Sequence, residues 1–377
     1  MMENRGWKEV KLEELIKFGN GKQRPDAEGL IPVYGGNGIL SYTNSSNYDG
    51  ETLIIGRVGA YCGAVYYDNR PIWISDNALS GKPKDNYDTK FLYYFLKNLD
   101  LNQFAGGSSH PLVTQTLLNS LESKVCINHN EQKAIASVLS SLDDKIDLLH
   151  QQNQTLEALA ETLFRQWFIE EAKEDWEEVK LGDLVDIFNG VSYKSDDLNP
   201  STTAMVTLKS FERNGGFRMD GFKEYTGKYK ETHVVEEGDL VVAHTDITQD
   251  AALIGNPVLV KSHSNYDKLV ISMDLVKVVS NNSNFTNEFL YLLMKTREFK
   301  EHALGYSNGS TVLHLSKKAI PEFELKLPPN ELVNSFTKRV SPLIKKQFVN
   351  QNQIQTLTQL RDTLLPKLMS GEVRVKV

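Results

Sequence analysis

Two cysteines, Cys62 and Cys126, are all that the 377 residues contain. That excludes a disulfide framework and a four-cysteine zinc site, and it points to a reducing compartment, the cytoplasm, as the expected location. The eight histidines show no metal-ligand spacing, so no metal is expected. No apolar run approaches the ~20 residues a membrane helix needs, so no membrane is expected as a partner. The opening MMENRGWKEVKLEEL lacks the apolar core of a secretion signal. No G-x-x-x-x-G-K-[ST] phosphate loop occurs, which excludes an ATP site of that type. What remains is ordinary: 40% hydrophobic and 24% charged residues describe a soluble globular chain, long enough for two domains and an element between them.

One segment is written twice. WKEVKLEELIKFGNG at 7–21 and WEEVKLGDLVDIFNG at 176–190 agree at eight of fifteen positions, among them Trp7/Trp176, Lys11/Lys180, Asn20/Asn189 and Gly21/Gly190. NQTLEALAETLFRQWF at 153–168 aligns with IQTLTQLRDTLLPKLM at 354–369, a constant shift of 201. A long internal repeat fixes architecture before any local reading. Two half-molecules on one chain predict a pseudo-twofold object. It would present the same surface twice to a partner that is itself roughly twofold, such as duplex DNA.

The net charge of −7 hides a segregation. Residues 129–171 carry three basic against eight acidic side chains, whereas 329–377 carry eight against three. Opposite charge on two similar helices favours pairing them with each other. Both segments read as long helices, over 131–167 and 331–368. The first carries a 3-4 seam of Ile135, Leu139, Leu142, Ile146, Leu149, Asn153, Leu156, Ala160 and Leu163. The second carries Phe336, Val340, Leu343, Gln347, Asn350, Ile354, Leu357, Arg361 and Leu364. Such a spacing is a coiled-coil seam. The polar interruptions lie near both centres, so antiparallel pairing would let the Asn153, Gln347 and Asn350 amides satisfy each other.

The rest of each half has β-rich runs punctuated by turns, at 51–67 and at 237–247 with 256–262, then a helix bearing Phe91, Leu92, Phe95 and Leu96 or Phe289, Leu290 and Leu293. The expected class is α+β: two mixed α/β domains related by pseudo-twofold symmetry, separated by two long helices forming an antiparallel coiled coil. The boundaries read as 1–128 for the first domain, 129–171 for the central helix, 172–328 for the second domain and 329–377 for the last helix.

With the run RDTLLPKLMSGEVRV at 361–375, these repeats resemble the specificity subunits of type I restriction-modification systems along essentially the whole chain. The resemblance implies two target-recognition domains, each reading one half of a split, asymmetric site on double-stranded DNA. It implies helices that act as a ruler between the half-sites and dock two methyltransferase subunits, with restriction subunits joining that core. S-adenosylmethionine, ATP and magnesium would serve those partner subunits, and this chain would hold no cofactor. The residues agree with a chain that is not an enzyme alone. Neither the Asn/Asp-Pro-Pro-aromatic tetrad nor the glycine-rich turn of adenine methyltransferases is present. Pro328-Pro329-Asn330 reads as a strand stop before a helix. Glu324-x-Lys326 lacks an upstream acidic partner and reads as an alternating pair on a strand.

DNA-contact candidates are basic and polar residues in loops, because bases are read by Arg, Lys, Asn or Gln and phosphates are held by cations, hydroxyls and amides. In the first half these are Lys22, Gln23 and Arg24 after the Asn-Gly turn, and Tyr34 and Asn37 in a stretch read as an exposed loop. Arg57 joins them at a glycine-rich strand end, and Ser108, Ser109 and His110 lie in a small-residue loop. In the second half they are Lys194, Lys209, Arg213 and Arg218, His244 and Thr245 at the place of Gly56 and Arg57, and Ser310 with Thr311. For any lone Lys or Arg the bland reading is a solvated surface charge; a glycine-flanked strand end sets Arg57 apart. Ser310 and Thr311 also read as helix-capping hydroxyls. Glu157, Glu161, Arg165, Trp167 and Phe168 are the candidates for docking a partner, the two aromatics as an apolar patch. The alternative reading is a two-domain scaffold that recruits proteins without touching DNA.

Overall fold

The repeated Asn-Gly pairs end two strands that hold the same place in two sheets. A computed structural model describes residues 6–106, 111–213, 215–248, 250–309 and 311–376. In the first half, Ile16–Asn20 pairs antiparallel with Ala78–Pro83. That strand pairs with Thr52–Gly56, which pairs with Val65–Asp68. In the second half, Val185–Asn189, Leu275–Ser280, Leu240–Ala243 and Pro257–Leu259 follow in the same order, all antiparallel. The central strands, TLIIG and LVVA, are buried at every residue. That explains why both read as unbroken apolar runs rather than alternating ones.

A second sheet repeats as well. Gly38–Thr43, Ile31–Gly35 and Trp73–Ile74 lie side by side, the last two parallel. Their counterparts are Lys223–Glu224, Thr203–Val206 and Lys268–Ile271, again with a parallel pair, extended by Val234–Val235. The Trp-x-E-V-K-L segments open each half as edge strands. Trp7–Lys11 pairs with Glu122–Cys126, and Glu178–Lys180 with Glu324–Lys326. Each half also sets a capped helix directly after its sheet strands. Asp88 caps Thr89–Asn98 by accepting from the Phe91 amide at 2.8 Å, and the Thr286 hydroxyl caps Asn287–Met294 through the Phe289 amide at 3.4 Å.

The shared glycines have a packing reason. A Cβ at Gly21 would lie 1.7 Å from the Ser75 carbonyl oxygen, and one at Gly190 would lie 2.1 Å from that of Ser272. Only a residue without a side chain lets the strand end pass this close to the parallel-sheet turn.

The long helices run from His129 to Arg165 and from Asn330 to Ser370. At ~1.5 Å per residue they are roughly 55 and 60 Å long, longer than the sequence spans suggest. The chain divides into one unit of residues 1–148 and 353–377 and another of 149–352, so each helix contributes to both. Within the first unit, Asp143 accepts from the Arg361 guanidinium at 2.8 Å and from the Tyr94 hydroxyl at 2.7 Å, and Glu131 takes both donors of Arg374 at 2.8 and 2.6 Å. Rising numbers on one side meet falling numbers on the other, so these segments run antiparallel. Ile135, Leu139, Leu368 and Met369 join the core of that unit.

Within the second unit the amides meet. The Asn350 Nδ2 group donates to Asn153 Oδ1 at 2.9 Å, and Gln347 Nε2 donates to the Asn153 carbonyl at 3.3 Å and to Glu157 Oε2 at 2.9 Å. The pairing is again antiparallel. Beyond it, Phe164, Phe168, Phe289 and Phe336 form a ring cluster with centroids 4.9–6.3 Å apart.

Candidate nucleic-acid interface

In the first unit, the end of the main sheet nearest the Asn-Gly turn gathers several loops. Gly21 and Lys22 donate to the Ala78 and Ile74 carbonyls at 3.1 and 3.0 Å, and the Trp73 indole donates to the Lys22 carbonyl at 3.3 Å. The Arg57 amide donates to the Asn77 carbonyl at 3.0 Å, while the Arg57 carbonyl accepts from Val113 at 3.0 Å and from the Cys62 thiol at 3.3 Å. A Cβ on Gly36 would lie 3.2 Å from the Val58 carbonyl and 3.5 Å from that of Asn77. So Lys22, Asn37, Arg57 and Asn77 come from loops that share one end of the sheet. Lys22, Gln23, Arg24, Asn37 and Asn77 are exposed there, and Arg57 is half-buried.

Tyr34 is a correction. It lies in a strand, is buried, and donates its hydroxyl to Asp68 Oδ2 at 3.0 Å. Burial, then the Asp68 charge, pushes that hydroxyl up to about 12. Neighbouring glycines made the stretch look like an open loop, but they serve the hairpin turn that follows. Ser108, Ser109, His110 and Ser310 lie outside the described residues.

The second unit builds the same end from the same bonds. Gly190 and Val191 donate to Leu275 and Ile271, and His244 and Thr245 both donate to the Asp274 carbonyl, at 2.8 and 3.2 Å. His244, not Thr245, thus stands where Arg57 stands: Ala243 pairs with Leu275 as Gly56 pairs with Ala78, and the His244 carbonyl accepts from Leu315 at 2.9 Å as that of Arg57 accepts from Val113, which corrects the sequence alignment by one residue. Thr245, one residue further on, is also a correction: it is buried, and its hydroxyl is spent on Asp274 Oδ1 at 2.9 Å. His244 lines a cavity of about 180 Å³ with Asn189, Ser316 and Lys317. Burial, reinforced by His314 and Lys317, holds its imidazole below the usual 6.5. Thr311, Lys194, Lys209, Arg213 and Arg218 are exposed. Arg218 is tied to Asp220 at 2.6 Å.

Sequence reasoning missed the turns Ser75-Asp76-Asn77 and Ser272-Met273-Asp274, which accept those bonds. Their shared serine, at like distance before each last sheet strand, was the available signal. It also missed Ile247 and Met273, which are 69% and 52% exposed beside this end. The loop carrying Ile247 is held by Asp246, whose buried carboxylate accepts from the Thr248, Leu253 and Ile254 amides at 2.7, 2.5 and 2.8 Å. Among the described residues no cluster of three His, Cys, Asp or Glu could hold a metal, and no helix is long and apolar enough to cross a membrane.

The duplicated sheet ends have a counterpart in known proteins. The family model for the type I restriction modification DNA specificity domain matches twice, over residues 4–158 and 173–359. The chain belongs to this family. Two similar relatives are the MjaIX specificity subunit of Methanocaldococcus jannaschii, at 26% identity over 87% of this chain and 78% of the relative, and the HindI specificity subunit of Haemophilus influenzae, at 24% over 70% and 71%. The crystal structure of a type I restriction-modification system S subunit from M. genitalium shares the fold, with a TM-score of 0.64 at 21% identity over 98% of both chains.

In this specificity-domain chain the helix residues expected to face a partner divide. Glu157 points inward. Its Oε1 accepts from the Tyr291 hydroxyl and the Lys295 ammonium, each at 2.6 Å. Burial pushes that carboxyl up, but Lys295 and the hydrogen bonds outweigh it and hold it below 4.5. Glu161 also pairs with Lys295. Trp167 and Phe168 pack on the core of their own unit, and Arg339 lies over the Trp167 ring at 5.3 Å. Arg165 is exposed beside Glu170. The aromatics at 167 and 168 look like an interface in sequence because nothing local reveals Phe336 and Phe289 across from them.

Proposed function

We propose that this chain is the DNA sequence-specificity subunit of a type I restriction-modification complex and that each unit reads one half of a bipartite site. The observation that carries this is the pair of matching sheet ends, identical in backbone bonding and different in side chains. One frame presenting two chemistries suits a split, asymmetric target, since base edges are read by side chains held on a fixed backbone. The chain is not catalytic by itself. Methylation and cleavage, with the S-adenosylmethionine, ATP and magnesium they use, belong to two methyltransferase subunits and to restriction subunits, in the cytoplasm. The paired helices set the gap between the half-sites.

Mapping methylated adenines in host DNA with and without this chain tests the reading and returns both half-sites and their spacing. Without the chain, methylation at a bipartite site should vanish. A gel shift should also lose affinity steeply between low and moderate salt, because phosphate contacts release counterions. Salt-insensitive behaviour with unchanged methylation would leave only a protein scaffold. Inserting a heptad into both helices should widen the gap and leave the half-site bases unchanged.

A further inference from the structure

The described arginines sort themselves by partner. Arg70, Arg165, Arg218, Arg297, Arg361 and Arg374 are each paired with a carboxylate. Arg339 lies over Trp167. Arg24 and Arg213 are exposed, so water serves them. Arg57 differs from all of these: its Nε is buried and has no hydrogen-bond partner. A desolvated guanidinium donor left unpaired costs stability, and such a group in a native protein calls for a functional explanation.

The backbone around Arg57 adds to this. Three bonds hold the residue, through its amide to Asn77 and through its carbonyl from Val113 and Cys62. The side chain therefore starts from a fixed point at the end of a fully buried strand. A phosphate contact needs only a charge near the backbone, and the exposed Lys22 and Arg24 on the same sheet end supply that kind of cation. A rigidly mounted fork is what a guanine edge asks for, because O6 and N7 accept two parallel N–H groups. At the matching place in the second unit stands His244, whose imidazole cannot offer two parallel N–H groups; the adjacent Thr245 hydroxyl is consumed by Asp274, and the exposed neighbours are the apolar Ile247 and Met273.

We propose that Arg57 reads a guanine in the half-site of the first unit and that the second unit, with His244 at the corresponding place, makes no bidentate guanine contact there. This rests on the specificity reading above and adds the base that one residue selects.

The test is selection from a library of random-sequence duplexes by the full chain assembled with its methyltransferase subunits, as wild type, R57K and R57A. The wild type should select a bipartite site with a guanine in one half. R57A should lose discrimination at that single base pair, on the order of tenfold to hundredfold, with every other position unchanged. R57K, which keeps the charge and removes the fork, should lose the guanine preference and retain most of the affinity, so it decides the matter if R57A folds poorly. Uniform weakening over all sequences with a shallower salt dependence would mean a phosphate contact and overturn the assignment. So would unaltered selection by both variants. A wild type that selects no sequence at all would instead overturn the specificity reading, and this assignment with it.

Discussion

The two sheet ends differ in one respect that matters: where the first holds a half-buried guanidinium in reserve, the second holds a half-buried imidazole. Arg57 has an unpartnered Nε, whereas its counterpart His244 is an imidazole that burial holds below the usual 6.5, beside a Thr245 hydroxyl already bonded to Asp274 at 2.9 Å. The frame beneath is the same, down to the glycine that passes beneath a serine carbonyl in each unit. Between the units the backbone frame is shared and the side chains it carries differ. The helix pairs show the same division. In the first unit they are joined by ions, Asp143 with Arg361 and Glu131 with Arg374. In the second they are joined by amides around a half-buried carboxylate, Glu157.

That contrast can be broken experimentally. The largest effect should come from Glu157→Ala, which leaves the Lys295 ammonium, 13% exposed, with only the more exposed Glu161 and takes an acceptor from Tyr291 and Gln347 in the second unit. Removing one partner of such a pair costs about 3–5 kcal/mol, readable as a lower midpoint in urea. An unchanged midpoint would mean that Glu161 alone suffices for Lys295. Asp143→Ala in the first unit should cost less, about 1.5–3 kcal/mol, because it removes charge-assisted hydrogen bonds to an Arg361 that keeps Asp362. Next come Gly21→Ala and Gly190→Ala. Each forces a carbonyl aside, at about 1–3 kcal/mol, and the two should be alike. Unequal losses would show that the shared glycines do different work.

The smallest effect is one of pH. The Arg374 hydrogen bonds hold the Glu131 carboxyl below its ordinary 4.5. A depressed carboxyl contributes stability that is present above its unfolded value and disappears as pH falls through its folded value. Thermal melts of the wild type and Glu131→Gln should therefore differ above pH 4.5 and converge below it. Curves that stay parallel down to the acid limit would remove Glu131 from this role.

Much of this was legible in the sequence, for identifiable reasons. The repeat, both long helices and the meeting of Asn153 with Gln347 and Asn350 follow from spacing, which records periodic burial directly. Asn-Gly marked the strand ends correctly, although the reason for its glycine, a carbonyl contributed from over fifty residues away, is tertiary. The misplacements share that cause. Tyr34 reads as exposed from its neighbouring glycines, Thr245 from its alignment with Arg57, Glu157 from an outward helix position, and Trp167 and Phe168 from an apolar patch at a helix end. Each is taken inside by a partner distant in the chain: Asp68, Asp274, Lys295, Phe336 and Phe289. Arg57 was singled out because glycines and a strand end are local signals.

The amides between the helices carry one more implication. Asn153, Gln347 and Asn350 recognise each other only in one alignment, and sliding one helix by a turn would face an amide with a leucine. This pairing tolerates change in whole repeats made in both helices at once. If the helices set the gap between half-sites as proposed, each heptad of ~10.5 Å is roughly three base pairs of rise, and the reachable distances form a ladder with discrete rungs.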